Sequence, residues 1–313
     1  MNKRVLGKTG IEISEVGYGC AALFGKNTLG KPAISYEHAY ELFETAVKSG
    51  VNFFDTGINY GYAEERLGQC LHDAIAEGMI SREDIVVETK CGEIVNPDGT
   101  YGAADWSSDN IKRNVEISLK RLKTDYIDLL ATHGGGGPDT CTDELLRTFE
   151  DLKRQGIIRA YGANTFNVAN LEWISQERNF DYVMPDYNIM RQEREPLIAK
   201  LTEAGVAVIA GSALGESLYS KKIFLVKNRN DLWYLARAVV RFRDLMSKSK
   251  DFRFLTKQKG YTANQLALRY VLDNPQITSA VFSTISKEHL LENLKAVEIE
   301  MPARIRKEIK ARA

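Results

Sequence analysis

The sequence predicts an α/β fold, a (β/α)8 TIM barrel with an N-terminal β-hairpin and a long insertion in the loop after the seventh strand. Three observations predict it. Short apolar runs of three to six residues alternate with stretches of helical period along most of the chain. Eight such runs are present, each followed by a helical stretch, and that alternation makes parallel βα units. The length, 313 residues, exceeds an ordinary domain and suits a barrel. An open doubly wound sheet would give a similar alternation.

The elements follow in order. Val5-Leu6 and Ile11–Ile13 flank a Gly7–Gly10 turn and read as a hairpin; Val16–Cys20 is the first strand. A helix is expected from Ser35 to Ser49, with Ser35 as its N-cap and Gly50 ending it. Val51–Phe54 is the second strand, and a helix follows over Glu64–Glu77. Ile85–Lys90 is the third strand. Ser108–Leu122 is helical, with Ile111, Val115, Leu119 and Leu122 on one face. Tyr126–Leu130, Ile157–Tyr161, Tyr182–Met184 and Val206–Ala210 are the next strands. Helices Thr142–Arg154, Val168–Gln176 and Glu195–Ala204 alternate with them. An irregular basic and aromatic insertion then runs over about 212–260, with a helix from Asp231 to Ser247 inside it. Ala263–Leu272, Thr278–Phe282 and Glu288–Ala296 complete the rhythm, so residues 1–313 read as one barrel domain.

Composition removes several function classes. Forty-two basic and 42 acidic residues give a formal net charge of zero, which favours neither nucleic acid nor a membrane surface. Cys20, Cys70, Cys91 and Cys141 form no CxxC pair, and a chain this long needs no disulfide staples. The start, MNKRVLGKTGIEIS, lacks the apolar segment of a signal peptide, and no run of about 18 apolar residues follows. The expectation is a cytoplasmic protein.

A barrel collects its chemistry at the C-terminal ends of its strands. Strand two ends in Asp55, followed by Thr56-Gly-Ile-Asn-Tyr60-Gly-Tyr62. Strand three ends in Lys90-Cys91, and strand four in His133 before Gly134–Gly137. Singly, each has an ordinary use: an Asp caps, a Lys pairs or snorkels, a His or Tyr packs. Together they lie on adjacent strand ends, about 4.8 Å apart, where long side chains can converge. A phenol of pKa about 10 is a poor donor at neutral pH. A nearby ammonium would favour the phenolate, Asp55 would hold that ammonium, and His133 could donate to a substrate oxygen. The set suits protonation of a developing alkoxide. With no nucleophile and no second carboxylate at the mouth, glycosidase and covalent hydrolase chemistry are disfavoured. No metal site is expected: His133, Cys91 and Asp55 lack diagnostic spacing, and Lys90 would oppose a cation. Gly17-Tyr-Gly19-Cys-Ala-Ala22 matches GxGxxA, but loop-forming residues follow where that fingerprint needs a helix.

These residues resemble the aldo-keto reductase family. The resemblance is carried by Asp55-Thr-Gly-Ile-Asn-Tyr60-Gly-Tyr62-Ala-Glu64-Glu-Arg-Leu67-Gly68, by Lys90 and His133, and by Leu6-Gly7-Lys-Thr-Gly10 and Gly17-Tyr-Gly19. Tyr161-Gly-Ala-Asn164, Tyr187-Asn188 and Glu292-Asn293 extend it over nearly the whole chain. It implies hydride transfer between a nicotinamide cofactor and a small carbonyl or alcohol substrate, with Tyr60 as general acid/base, Lys90 and Asp55 tuning it and His133 orienting the carbonyl. It places the cofactor along Gly19, Cys20, Asp55, Asn164, Met184, Gly211, Ser212, Ala213, Leu214, Ser283, Thr284, His289, Glu292 and Asn293. Asn164 would hold the carboxamide, and Phe24 and Trp106 would join Tyr60 and His133 around the substrate.

The chain also departs from the family pattern. Ala163 replaces a serine, Met184 a glutamine and Gly211 a stacking aromatic, and Ser212-Ala213-Leu214 stands for Ser-Pro-Leu. Ser283, Thr284 and His289 stand where Lys, Ser and Arg often grip a 2′-phosphate. The resemblance therefore implies NADP(H) and leaves NAD(H) open; Lys221, Lys222, Lys227 or Arg229 of the insertion could substitute as anchors. Tyr101, Tyr219 and Trp233 are further loop aromatics. A second function class stays in view: a nucleotide-sensing barrel that regulates a partner, as family members that regulate channels do. The complete tetrad favours the enzyme.

Overall fold

Alternation becomes closure. The structure, a computed structural model, describes residues 1–21, 34–177, 180–220 and 243–312. Two short antiparallel strands open it, β1 (Lys3–Val5) and β2 (Glu12–Ser14). Eight parallel strands then close a barrel: β3 (Val16–Gly19), β4 (Phe53–Asp55), β5 (Val86–Cys91), β8 (Ile127–His133), β9 (Ile158–Asn164), β10 (Tyr182–Met184), β11 (Ala207–Ala210) and β12 (Ile277–Phe282). The closing pair is β12 with β3, Ala280 against Val16 and Phe282 against Tyr18. Closure leaves these strands no free edge.

The outer helices begin where hydroxyls can satisfy their first amides. Ser35 accepts from His38 N at the start of α1 (Tyr36–Lys48). Helix α2 (Ala63–Ala76) follows β4. Ser107 caps α3 (Ser108–Leu122) and Thr142 caps α4 (Asp143–Arg154). Helices α5 (Val168–Glu177) and α6 (Glu195–Glu203) follow β9 and β10. Within the expected insertion, the described part holds α7 (Arg243–Ser249) and a 3-10 segment, Lys250–Lys257; most of the expected Asp231–Ser247 helix lies outside the described residues. A Thr262–Gln265 capping box starts α8 (Ala263–Leu272), α9 is Lys287–Leu294, and a tail helix, α10 (Ala303–Lys310), closes the chain. Among the described residues no helix is long and apolar enough to cross a membrane.

Strand side chains alternate, and the barrel uses both faces. Phe54, Val87, Leu130, Val183 and Val208 pack outward against the helices. Phe53, Val86, Leu129, Ala131, Ala160, Tyr182, Ile209 and Val281 form a separate inner cluster, joined by Leu6, Ile11 and Ile13 of the hairpin. The hairpin thus plugs the end opposite the site. Gly17 and Gly162 make room for inner rings. A Cβ at Gly17 would lie 2.4 Å from Phe53 Cδ1, and one at Gly162 would lie 2.6 Å from the Tyr182 ring.

One excursion was not legible in the alternation. Between β5 and α3 the chain forms an antiparallel hairpin, β6 (Glu93–Val95) with β7 (Tyr101–Ala104). Its strands are only three and four residues long, Glu93-Ile-Val95 and Tyr101-Gly-Ala-Ala104, too short to carry an apolar run.

Candidate active site

Register brings the polar strand ends together. Asp55 pairs with Glu88, Lys90 with Ala131, and His133 with Asn164, so Asp55, Lys90 and His133 rise at one mouth. Lys90 is fully buried. Its Nζ donates to Asp55 Oδ1 and, at 2.6 Å, to the Thr56 carbonyl. Tyr60 rides the loop after β4, where Ile58 N donates to the Lys90 carbonyl at 3.3 Å. Lys90 Nζ lies 5.2 Å from the Tyr60 ring centroid. The His133 ring meets Tyr60 edge-on, with centroids 5.5 Å apart.

The loop is pinned from behind. Arg121 of α3 donates to the Ile58 carbonyl at 3.0 Å and to Glu64 at 3.1 Å. Buried Glu64 also accepts from Thr89 at 2.7 Å. One guanidinium nitrogen, Nη1, thus ties the carbonyl of the loop to a buried carboxylate of α2.

Electrostatics sharpen the expected roles. Burial pulls the Lys90 pKa down, but Asp55, Tyr60 and Glu88 more than reverse it, and the ammonium is held above its ordinary value. Tyr60 is held above its own: burial dominates, Asp55 and Glu88 add to it, and Lys90 opposes by charge and by its reach to the hydroxyl. So the ammonium does favour the phenolate, yet the phenol keeps its proton, because burial outweighs the cation.

The mouth does hold further carboxylates, which corrects the sequence reading. Glu93, at the start of β6, places Oε1 2.8 Å from His133 Nδ1, though not in hydrogen-bond alignment, and accepts from Asn59 Nδ2 at 2.6 Å. Glu88 lies buried beneath Lys90. Glu88 was legible in principle, since it sits two residues before Lys90 and shares its strand face. Glu93 arrived with the unforeseen hairpin.

The remaining sequence-named residues distribute as follows. Gly19 pairs with Asp55, and Cys20 N donates to the Asp55 carbonyl at 2.7 Å. Met184 pairs with Asn164, whose Nδ2 donates to the Met184 carbonyl at 3.4 Å, the long end of a hydrogen bond. Gly211 continues β11 through a bridge to Asp186. Ser212 has a left-handed φ of 47°, Ala213 N donates to the Val281 carbonyl, and Leu214 ends this turn. Ser283 Oγ donates to the Gly19 carbonyl at 2.6 Å, and the Thr284 carbonyl accepts from Tyr18 at 2.8 Å. His289 is exposed in the first turn of α9. The Glu292 carbonyl accepts from Gln265, while buried Asn293 Oδ1 has no partner among the described residues.

Trp106 packs against Gly92 and Gly135. A Cβ at Gly92 would lie 2.3 Å from its indole and one at Gly135 2.9 Å, so the ring bridges the loops after β5 and β8. Tyr219 is fully buried and donates to Asn264, so it is a packing residue. Phe24, Trp233, Lys221, Lys222, Lys227 and Arg229 lie outside the described residues.

The barrel mouth thus gathers a phenol, a clamped ammonium and an imidazole. The Aldo/keto reductase family model matches residues 15–312, and the chain belongs to that family. Over 301 residues it is 30% identical to an uncharacterized oxidoreductase of Bacillus subtilis (strain 168), covering 95% of this chain and 91% of that one. It is 26% identical to the NADH-specific methylglyoxal reductase of Escherichia coli (strain K12), covering 96% and 95%. The holo form of an aldo-keto reductase from Bacillus halodurans superposes with a TM-score of 0.81 at 27% identity, over 100% of this chain and 96% of that one.

Proposed function

We propose that this protein reduces an aldehyde or ketone to the alcohol, or runs the reverse oxidation, with a nicotinamide cofactor and with Tyr60 as general acid/base. One observation carries the reading: Lys90, held by Asp55 and the Thr56 carbonyl, lies 5.2 Å from the centre of the Tyr60 ring, whose neighbour at the mouth is His133.

A nicotinamide cofactor fits this mouth. Among the described residues the Asn164 amide makes one long bond, and buried Asn293 Oδ1 has no partner. Asn164 would hold the carboxamide, and Ser212–Leu214, Ser283, Thr284 and Asn293 would line the remainder. When bound, the cofactor supplies or accepts the hydride. The chain does the rest. His133 orients the carbonyl oxygen and donates to it as negative charge builds there. Tyr60 gives that oxygen its proton. Lys90 steadies the phenolate left behind, and Asp55 keeps Lys90 in place.

The cofactor's far end carries a second reading. Within 283–293 the one lysine, Lys287, has its Nζ 2.8 Å from Glu41 Oε1, and the segment has no arginine. NADH therefore meets no shortage of partners there, whereas a 2′-phosphate finds no free cation in that segment. Tyr60→Phe is the test of the whole proposal. It is expected to abolish aldehyde-dependent loss of absorbance at 340 nm while cofactor still quenches protein fluorescence; unchanged turnover overturns the reading.

A further inference from the structure

Beneath the tetrad the barrel interior holds a carboxyl that the reaction above does not use. Glu88 is fully buried, shares a strand face with Lys90 and pairs in register with Asp55. From across the barrel Tyr182 donates to Glu88 Oε1 at 3.1 Å, while Oε2 has no partner among the described residues. Two of its neighbours there are hydrocarbon: Val86 precedes it on the same face and Leu129 is its partner on β8. An aliphatic residue would fill the position at far lower desolvation cost.

The groups that face Glu88 are few. They are Lys90 from its own strand, Asp55 from β4 and Tyr182 from β10. Tyr60 feels it from the loop above. The inward residues of β8, β9, β11 and β12 packed in the same layer carry no charge.

We propose that Glu88 is a positioning residue that sets the acidity of Tyr60 through Lys90. This rests on the reading of Tyr60 as the proton donor. With Glu88 protonated, Asp55 and Lys90 balance, and the ammonium stabilises a phenolate. With Glu88 ionised, the cluster carries an additional negative charge, and the phenolate is disfavoured. Burial, reinforced by Asp55 and opposed by Lys90 and the Tyr182 hydrogen bond, pushes the Glu88 carboxyl up to about 8. The change of state therefore falls where such reactions are run. As pH rises through it, Tyr60 holds its proton longer, which extends reduction and delays oxidation.

Glu88→Gln keeps the acceptor for Tyr182 and cannot ionise. The alkaline limb of kcat/KM for reduction, normalised to its own plateau, is expected to move to lower pH by about one unit. Tyr182→Phe removes the hydrogen bond that favours the carboxylate, so Glu88 stays protonated to higher pH. Its limb moves in the same direction by less, which provides a second variant should the first not fold. Melting temperature gives a readout independent of turnover. Glu88 holds its proton in the fold to about 8 instead of the usual 4.5, so its contribution is complete below the lower value and is lost as pH rises through the upper one. The Glu88→Gln advantage in Tm should widen between those values and then level.

A widening gap with a displaced limb supports the proposal. A widening gap with superimposed profiles overturns it and leaves the reductase reading intact. A flat gap also overturns it, because Glu88 would then be ionised throughout. A fully active Tyr60→Phe overturns both readings.

Discussion

Glu93 Oε1 stands 2.8 Å from His133 Nδ1, on a hairpin that also receives Asn59, the residue before Tyr60, at 2.6 Å. One carboxylate therefore touches the loop that carries the phenol and the imidazole that faces it. That proximity places a carboxylate beside the ring without a hydrogen bond between them. Glu93→Gln is expected to keep the Asn59 contact and lower kcat/KM by up to about tenfold, by removing the charge beside the ring. Asn59→Ala should cost less. Steady-state kinetics on both variants checks this, and an unaltered Glu93→Gln would leave His133 positioned by its strand alone.

Lys90 and Asp55 form a buried pair, and removing one partner of such a pair costs about 3–5 kcal/mol. Lys90→Met is expected to lose both activity and stability. The double change Lys90→Met with Asp55→Leu should recover most of the stability, since apolar residues can replace a buried pair, and none of the activity. Urea unfolding alongside turnover separates the two. Activity returning with stability would show that the pair acts only as a structural brace.

Lys287 Nζ lies 2.8 Å from Glu41 Oε1 in a half-exposed ion pair. A charge-assisted contact is worth about 1.5–3 kcal/mol, tenfold or more in affinity. Without it in this segment, NADH is expected to bind at least as tightly as NADPH in fluorescence titrations. A tenfold preference for NADPH would assign its phosphate to basic residues at 221–242, outside the described part of the chain. Freeing Lys287 with Glu41→Gln should improve NADPH binding more than NADH binding.

The barrel was legible because its signal is local and repeated. Helix 108–122 and strand 182–184 stand where period and turn residues placed them, and Asp55, Lys90 and His133 were named from strand ends alone. What escaped depended on contacts between distant segments. The hairpin 93–104 has too few apolar residues to announce a strand, so Glu93 came unannounced. The height of the Tyr60 pKa depends on burial, which spacing does not measure, and it went against the expectation drawn from Lys90 alone. Tyr182 looked like the start of a short strand, and only barrel closure brings its hydroxyl to Glu88 from 94 residues away.

That inner layer is close-packed by design of its glycines, and the claim can be tested without chemistry. A Cβ on Gly162 would stand 2.5 Å from the Tyr182 carbonyl oxygen and 2.6 Å from its ring. Backbone of a paired strand cannot give way as a flexible side-chain tip can, so the overlap must be relieved by moving the ring or the strand. Overpacking of a dense core costs about 1–3 kcal/mol. Gly162→Ala is therefore expected to unfold at lower urea and to break the Tyr182–Glu88 hydrogen bond, moving the alkaline limb of reduction as Tyr182→Phe does. Gly162→Ala with Tyr182→Phe should lose little more than Gly162→Ala alone in that limb, because both act through one hydroxyl. A Gly162→Ala protein with unchanged unfolding would mean that the layer has slack, and Tyr182 would then hold Glu88 less firmly than a 3.1 Å contact implies.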